Sequence, residues 1–256
     1  GEEGEGILRV SDSRKALALL SANWFGHPAR ELAVVGVTGT NGKTTVTTLL
    51  WYLLQELLGA PVGLLGTNEK RVGEEVFPAQ RTTPESYEVQ SWLRRMADAG
   101  CTHAVMEVSS HALCMDRVEG IPFAVGAFTN LTQDHLDFHK TMEAYEQAKG
   151  RLFHQCDKAV LNGDDPAGRR YGEIVTCDTI FYSRKPQKES KTSHLWATNW
   201  KQFSGGTEFQ LEGEEGSIPV RLNIPGSFTV SNALCVLGCA KALGLPLEKA
   251  TALLSQ

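Results

Sequence analysis

The sequence predicts an α/β fold: a mostly parallel sheet with helices on both faces and a small antiparallel subsheet. Three observations predict it. Short β-branched runs alternate with segments of helical periodicity; a glycine-rich loop joins the first such run to the first long helix; and a later region alternates polar and apolar residues between glycine pairs.

Residues 32–37 read as a strand, and residues 43–58 as a helix with leucines at 49, 50, 53, 54, 57 and 58 along one face. Pro84 stands where a first helical residue would, with Thr83 as its cap, which predicts a helix to about Ala99 before Gly100. Strands at 102–107 and 124–130, a helix at 142–154 and a strand at 159–162 continue the alternation. From about Thr179 to Asn223 the short runs, broken by Gly205-Gly206 and between Gly213 and Gly216, predict antiparallel hairpins. A helix over 229–243 ends at Gly244, and another starts near Leu247. The chain opens on Gly1 in a Gly/Glu-rich stretch and stops at Gln256 inside that last helix, so it reads as part of a longer protein.

Composition narrows the function. With 256 residues, 41% of them hydrophobic, the chain can bury a sizeable core and is not disordered. The balance of 25 basic against 30 acidic residues, net charge −5, with no long basic run, argues against a nucleic-acid partner. Six cysteines, at 101, 114, 156, 177, 235 and 239, show no CxxC pair and no metal spacing, and read as buried thiols of a reducing compartment. No apolar stretch reaches the roughly 20 residues of a membrane span, and no signal-peptide pattern opens the chain. The expectation is a cytoplasmic monomer that binds no membrane.

The strongest chemical signal is Val37-Thr38-Gly39-Thr40-Asn41-Gly42-Lys43-Thr44-Thr45, between a strand and a helix. This is a P-loop: glycines let the backbone approach a polyphosphate and the helix N-terminus adds a favourable dipole. Lys43 would reach the β- and γ-phosphates and Thr44 would bind Mg²⁺. The loop is a variant, because the usual pattern puts its first glycine at 37, where Val37 stands. Glu107 ends an apolar strand at the edge where parallel sheets bind ligands, so it is either an Mg²⁺ ligand or a solvated strand-end carboxylate. His135, flanked by Asp134 and Asp137, is open between a structural and a metal-binding role. Lys149, read by helical spacing alone, is a surface lysine.

The T-G-T-N-G-K-T-T string resembles the ATP loop of the Mur ligases and their folylpolyglutamate synthetase relatives. Further strings resemble the MurE type: Arg81-Thr82-Thr83-Pro84, Met106-Glu107-Val108-Ser109-Ser110-His111-Ala112-Leu113, the run from Asn130 through Asp134-His135 to His139, and Tyr145-Glu146-Gln147-Ala148-Lys149. The resemblance covers residues 24–256. It implies a central ATP-binding domain at 31–256, with 1–30 as the tail and linker of an N-terminal uridine-gripping domain and a C-terminal domain absent. The nucleotide site would be Gly39, Thr40, Asn41, Gly42, Lys43, Thr44, Thr45 and Asn232. The last falls in Pro225-Gly226-Ser227-Phe228-Thr229-Val230-Ser231-Asn232, which has Thr229 where the family usually has a first Asn.

The resemblance further implies Mg²⁺ held by Thr44, Glu107, His135 and Lys149, with Lys149 carbamylated by CO₂. An amine must be neutral to attack CO₂, so the site would have to depress the lysine's pKa. Thr82, Thr83 and Ser109 are implied as contacts for UDP-muramoyl-dipeptide and Arg117 as partner of a carboxylate. On their own residues Thr83 is equally a helix cap and Arg117 a surface ion-pair residue. The implied reaction is ATP-dependent amide formation through an acyl phosphate, with Lys43, Lys149 and His135 in the catalytic centre and an amino acid, diaminopimelate or lysine, as co-substrate. This stretch by itself would bind ATP without turnover. A cyanophycin- or polyglutamate-type ligase, a non-catalytic nucleotide-binding scaffold and a P-loop kinase are the alternatives.

Overall fold

The structure, a computed structural model, describes residues 9–186, 193–214, 216–226 and 228–255. The Gly/Glu-rich opening, residues 187–192 and Glu215 of the hairpin region, Ser227 and Gln256 lie outside the described residues.

Helix α1 (Ser13–Trp24) leads into β1 (Ala33–Thr38), α2 (Lys43–Leu58), three short strands β2 (Val62–Leu65), β3 (Glu69–Val72) and β4 (Glu75–Pro78), then α3 (Ser86–Asp98), β5 (His103–Glu107), α4 (Ser110–Cys114) and β6 (Phe123–Phe128). There follow α5 (Leu136–His139), α6 (Met142–Gly150), β7 (Cys156–Asn162), α7 (Pro166–Ile174) and β8 (Asp178–Ser183). The chain closes with β9 (Ser193–Phe203), β10 (Gly206–Gly213), β11 (Gly216–Leu222), α8 (Thr229–Ala242) and α9 (Leu247–Leu254).

All the strands join one sheet in the order β11-β10-β9-β8-β7-β6-β1-β5-β2-β3-β4. The seven from β9 through β2 in that order pair in parallel. β1 lies near the middle and is buried along nearly its whole length, as a parallel strand covered on both faces must be. The predicted hairpin region starts too early: β8 still pairs in parallel with β7, and only β9, β10 and β11 form an antiparallel meander. A second antiparallel ribbon, β2-β3-β4, closes the other edge. Its Glu69-Lys70-Arg71-Val72 strand is too charged and too short to show periodicity.

Two apolar layers sandwich the sheet. On one face Leu50, Leu53 and Leu54 of α2 meet Val35, Val125 and α8. Eleven of the fourteen residues of α8 are buried, because it lies between the sheet and both α2 and α9. On the other face Val89, Leu93 and Met96 of α3 join Phe123, Phe153 and Tyr171. Helices thus cover both faces, as the alternating pattern predicts. Helix α2 has the expected bounds, and Gly244 ends α8 in the left-handed region at φ 76°.

Helix α3 begins at Ser86 with Glu85 at the cap position, so Thr83 caps no helix and Pro84 belongs to an extended lead-in. The helix expected at 142–154 tightens after Gly150 into a 3₁₀ turn. All six cysteines are free; Cys101, Cys235 and Cys239 are buried, whereas Cys114, Cys156 and Cys177 are only partly so. Among the described residues no helix is long and apolar enough to cross a membrane.

Helix α7 lies so close to β7 that a Cβ at Gly168 would fall 2.1 Å from the Asn162 carbonyl oxygen. Alanine is worth about 1 kcal/mol over glycine in an exposed helix. Here the obstacle is backbone, and overpacking costs about 1–3 kcal/mol. Gly168→Ala is therefore expected to lower stability, read as a lower urea midpoint with an unchanged slope.

Candidate active site

The carboxyl end of β1 turns into α2 through two glycines in the left-handed half of backbone space, Gly39 at φ 146° and Gly42 at φ 85°. Space as well as conformation demands them. A Cβ at Gly39 would lie 1.8 Å from Thr129 Oγ1, and one at Gly42 would lie 2.7 Å from Asn232 Oδ1. The segment after β6 holds the loop. Thr40 N–H donates to Asn130 O at 2.8 Å, Asn41 N–H to Asn130 Oδ1 at 3.0 Å, and the Thr129 hydroxyl to Asn41 O at 2.6 Å. The first intrahelical bond of α2 is Val46 N–H to Gly42 O at 2.9 Å, so the amides of Lys43, Thr44 and Thr45 precede it and stand at the positive end of the helix dipole. Val37, where a glycine is usual, is a buried strand residue registered opposite Glu107.

Lys43 Nζ donates to Gly39 O and Thr40 O, each at 2.9 Å. Lys149 reaches the same Gly39 oxygen from α6, also at 2.9 Å, and is only 2% exposed. The surface-lysine reading of Lys149 is thereby overturned. Its Nζ lies 4.3 Å from the centre of the Tyr145 ring, one turn earlier on α6. Burial first, and then the charge of Lys43, depress the Lys149 pKa to about 7, with Asp134 opposing. Burial also lowers the Lys43 pKa, opposed by Glu107 and Asp134. These four charged groups therefore share one electrostatic neighbourhood.

Glu107 is 1% exposed, which excludes the solvated strand-end reading. Thr67, in the turn after β2, serves both its oxygens: the amide donates to Oε1 at 2.8 Å and the hydroxyl to Oε2 at 2.9 Å. The Thr67 hydroxyl also lies 3.1 Å from Thr82 Oγ1. The Thr83 hydroxyl donates to Glu107 O at 2.8 Å and accepts from Ser109 N–H at 3.0 Å, which explains why it caps nothing. Ser109 caps α4 by accepting from Ala112 N–H at 3.1 Å. Arg117 donates to Thr83 O at 3.1 Å and pairs with Glu85 at 2.7 Å, so the ion-pair reading describes it, at the rim of this hydroxyl shelf.

His135 stands at the cap position before α5 in the left-handed region and stays half exposed, 3.4 Å from Asp134. Its ring meets His111 edge-on at 5.1 Å between centres and lies 6.2 Å from Tyr145. The buried His139 lies behind, 2.8 Å from the Ser110 hydroxyl, and burial depresses its pKa. Among the described residues no three His, Cys, Asp or Glu side chains gather into a group able to hold a metal ion. The oxygen donors present, Thr44 and Glu107, are of the hard kind that suits Mg²⁺ in the company of phosphate oxygens.

Asn232, from α8, sits directly over Gly42, and with it a groove lined by Asn41, Asn162, Asp164 and Phe228 opens beside the loop. The structure thus gathers the loop, Asn232, Lys149 and Glu107, and sets Thr82, Thr83, Ser109 and Arg117 on the far side of Glu107. Sequence reasoning missed Thr67, Thr129, Asn130 and Tyr145. The signals are that Asn130 and Tyr145 open strings resembling the family's, and that Thr129 and Asn130 end a predicted strand at the sheet edge where ligands bind.

Comparison with known proteins agrees with this geometry. Residues 37–240 match the Mur ligase middle domain family. The chain is 42% identical over 243 residues to the UDP-N-acetylmuramoyl-L-alanyl-D-glutamate--2,6-diaminopimelate ligase of Clostridium perfringens, covering 95% of this chain and 50% of the relative. It is 45% identical over 234 residues to the ligase of the same name from Clostridium tetani, covering 91% and 47%. The chain thus spans about half the length of the curated relatives it matches. A solved structure of a ligase of that name superposes with a TM-score of 0.86 at 24% identity, over 99% of this chain and 53% of the other. The apo form of L. casei FPGS superposes with a TM-score of 0.75 at 17% identity, over 97% and 68%. Both likenesses are of fold. The chain belongs to the Mur ligase family, as its middle domain.

The buried Lys149 makes stability depend on pH. Its folded pKa of about 7 lies below the ordinary lysine value of about 10.4, so the folded state binds fewer protons between those limits. The Lys149 contribution to stability is therefore least favourable below pH 7 and improves as pH rises toward 10. Lys149→Met removes it, and urea midpoints at pH 6, 7.5 and 9 should show the variant's advantage over the unmodified protein shrinking as pH rises.

Proposed function

We propose that this Mur ligase middle domain carries the ATP-binding and phosphoryl-transfer centre of a MurE-type ligase, which adds an amino acid to UDP-N-acetylmuramoyl-L-alanyl-D-glutamate in peptidoglycan synthesis. The observation that carries the reading is the convergence of the phosphate loop, the buried Glu107 and the buried Lys149 beside a shelf of hydroxyls. The names of the curated relatives support 2,6-diaminopimelate as the amino acid added.

A carboxylate is a poor electrophile, so amide formation needs activation. The γ-phosphoryl group of ATP passes to an oxygen of the substrate's D-glutamate carboxylate, giving an acyl phosphate and ADP. The incoming amine attacks the acyl carbon, loses a proton, and phosphate leaves. Lys43 exchanges its carbonyl partners for phosphate oxygens, and the amides of Lys43, Thr44 and Thr45 bind the same charge. Gly39, Thr40, Asn41 and Gly42 shape the cradle, and Asn232 closes it from above. Thr44 and Glu107 would hold one Mg²⁺, and His135 with Lys149 a second; Mg²⁺, when bound, neutralises charge on the transferring group.

Lys149 serves as its carbamate. Its neutral amine adds to CO₂ and releases one proton, which leaves an anionic side chain; counted from the ammonium form, two protons leave. The depressed pKa supports this, because at neutral pH much of the amine is free to react. On the other side of Glu107, Thr82 and Ser109 present hydroxyls to the peptide, Thr83, expected as a third, is buried and instead holds Ser109 against Glu107, and Arg117 holds the rim toward its carboxylate.

The test is phosphate release by the intact protein that depends on both UDP-muramoyl-dipeptide and the amino acid; release without either would end the ligase reading. Lys43→Ala should lower turnover by about two orders of magnitude or more with an unchanged circular dichroism spectrum, since its charge is needed most in the transition state.

Lys149→Ala and Lys149→Arg should both lose activity, because arginine keeps the positive charge but forms no stable carbamate. Short carboxylic acids should restore part of the turnover of Lys149→Ala by supplying the missing anion. Full activity of Lys149→Arg would sink the carbamate assignment.

A further inference from the structure

Two of the six cysteines face each other. Cys156 opens β7 and Cys177 stands just before β8, and their Sγ atoms lie 3.8 Å apart. Strands β7 and β8 pair in parallel from Lys158 opposite Asp178, so the chain segments that carry the two cysteines are neighbours across a ladder spaced about 4.8 Å. A disulfide spans Cα separations of about 4.4–6.8 Å. The sulfurs need close only to the bonded distance of about 2.05 Å, which side-chain rotation can supply without parting the strands.

Both thiols are partly exposed, so a small oxidant can reach them, whereas Cys101, Cys235 and Cys239 are buried. Among the described residues no third His, Cys, Asp or Glu joins the pair to complete a metal site, and a structural Zn²⁺ needs four ligands. The chemistry left to two facing thiols is oxidation to a cross-link. The two do not react alike. Burial first, and then the neighbouring Cys177, push the Cys156 thiol well above the usual range, so Cys156 stays protonated and is the poorer nucleophile toward an oxidant.

We propose that Cys156 and Cys177 are a redox-modification site, joined as a disulfide when the protein meets a hydroperoxide, with Cys177 reacting first. The Cys177 sulfur attacks one oxygen of H₂O₂ and the O–O bond breaks. Cys177 becomes a sulfenic acid, and the second oxygen leaves as water with the thiol's proton. The Cys156 sulfur then attacks the Cys177 sulfur; its own proton joins the departing hydroxide and a second water is released. In sum two thiols and one H₂O₂ give one disulfide and two waters, the sulfurs being oxidised and the peroxide reduced. The bond closes a loop over β7 and α7, which restricts the unfolded chain more than the folded one. It does so at the amino ends of the strands, the edge opposite the glycine-rich loop.

To test this, the intact protein, Cys156→Ser and Cys177→Ser are each treated with one equivalent of H₂O₂ per chain, quenched in acid, alkylated and mapped by peptide mass spectrometry. The unaltered protein is expected to lose two thiols per chain and to yield a peptide pair cross-linked between 156 and 177, which dithiothreitol returns to free thiols. Cys235 and Cys239 are expected to stay alkylatable. In Cys156→Ser, Cys177 is expected as a sulfenic acid that a 1,3-diketone traps, and in Cys177→Ser the oxidation of Cys156 is expected to slow about tenfold or more. Free thiols at both positions after treatment, a cross-link from either one to another cysteine, or sulfinic acid at Cys177 without a cross-link in the unaltered protein would each overturn the proposal. So would oxidation of Cys156 in Cys177→Ser at the unaltered rate.

Discussion

The carbonyl oxygen of Gly39 accepts a hydrogen bond from Lys43 and another from Lys149, each at 2.9 Å. Two ammonium groups cannot share one buried oxygen cheaply, since like charges in a poorly solvated site repel far more than in water. Burial first, and this repulsion second, lower the proton affinity of Lys149, the more buried partner. The same bond ties α6 to the loop between β1 and α2, so the backbone shape of the loop and the environment that lowers the proton affinity of Lys149 are one arrangement. Gly39 is indispensable to it: the oxygen can face both lysines only because no Cβ stands against Thr129.

The sheet decides what else comes within reach of that oxygen. β1, β5, β6 and β7 run parallel and adjacent, so their carboxyl ends finish along one edge. That edge receives the loop from β1, Glu107 from β5, Thr129 and Asn130 from β6, and Asn162 with Asp164 from β7. The antiparallel ribbons at the two margins widen the sheet without adding to this row, apart from the turn after β2 that supplies Thr67. The layout follows the strand order, with the glycine-rich loop on one side of Glu107 and the hydroxyl shelf on the other.

Much of this was legible in the residues. The glycine-rich loop announces itself because its chemistry is local: a strand, a cradle of amides and a helix are consecutive in the chain. Helix α2 has its expected bounds for the same reason, as its leucine stripe is a short-range pattern. The ribbon β2-β3-β4 was illegible because charged four-residue strands carry no periodicity. The start of α3 was misread because Thr83 looks like a cap until β5 arrives to claim its hydroxyl.

By itself the sequence determined the fold class, the phosphate loop and the strand-end position of Glu107, all of which depend on spacing along the chain or on the alternation of strand and helix. Only the tertiary structure decided the state of the side chains. Lys149 is 110 residues from the carbonyl it donates to, and Glu107 is 40 from the threonine that binds both its oxygens. Whether a lysine is solvated or nearly neutral, and whether a carboxylate is free or held, is set by burial and by the charges that long-range packing brings near.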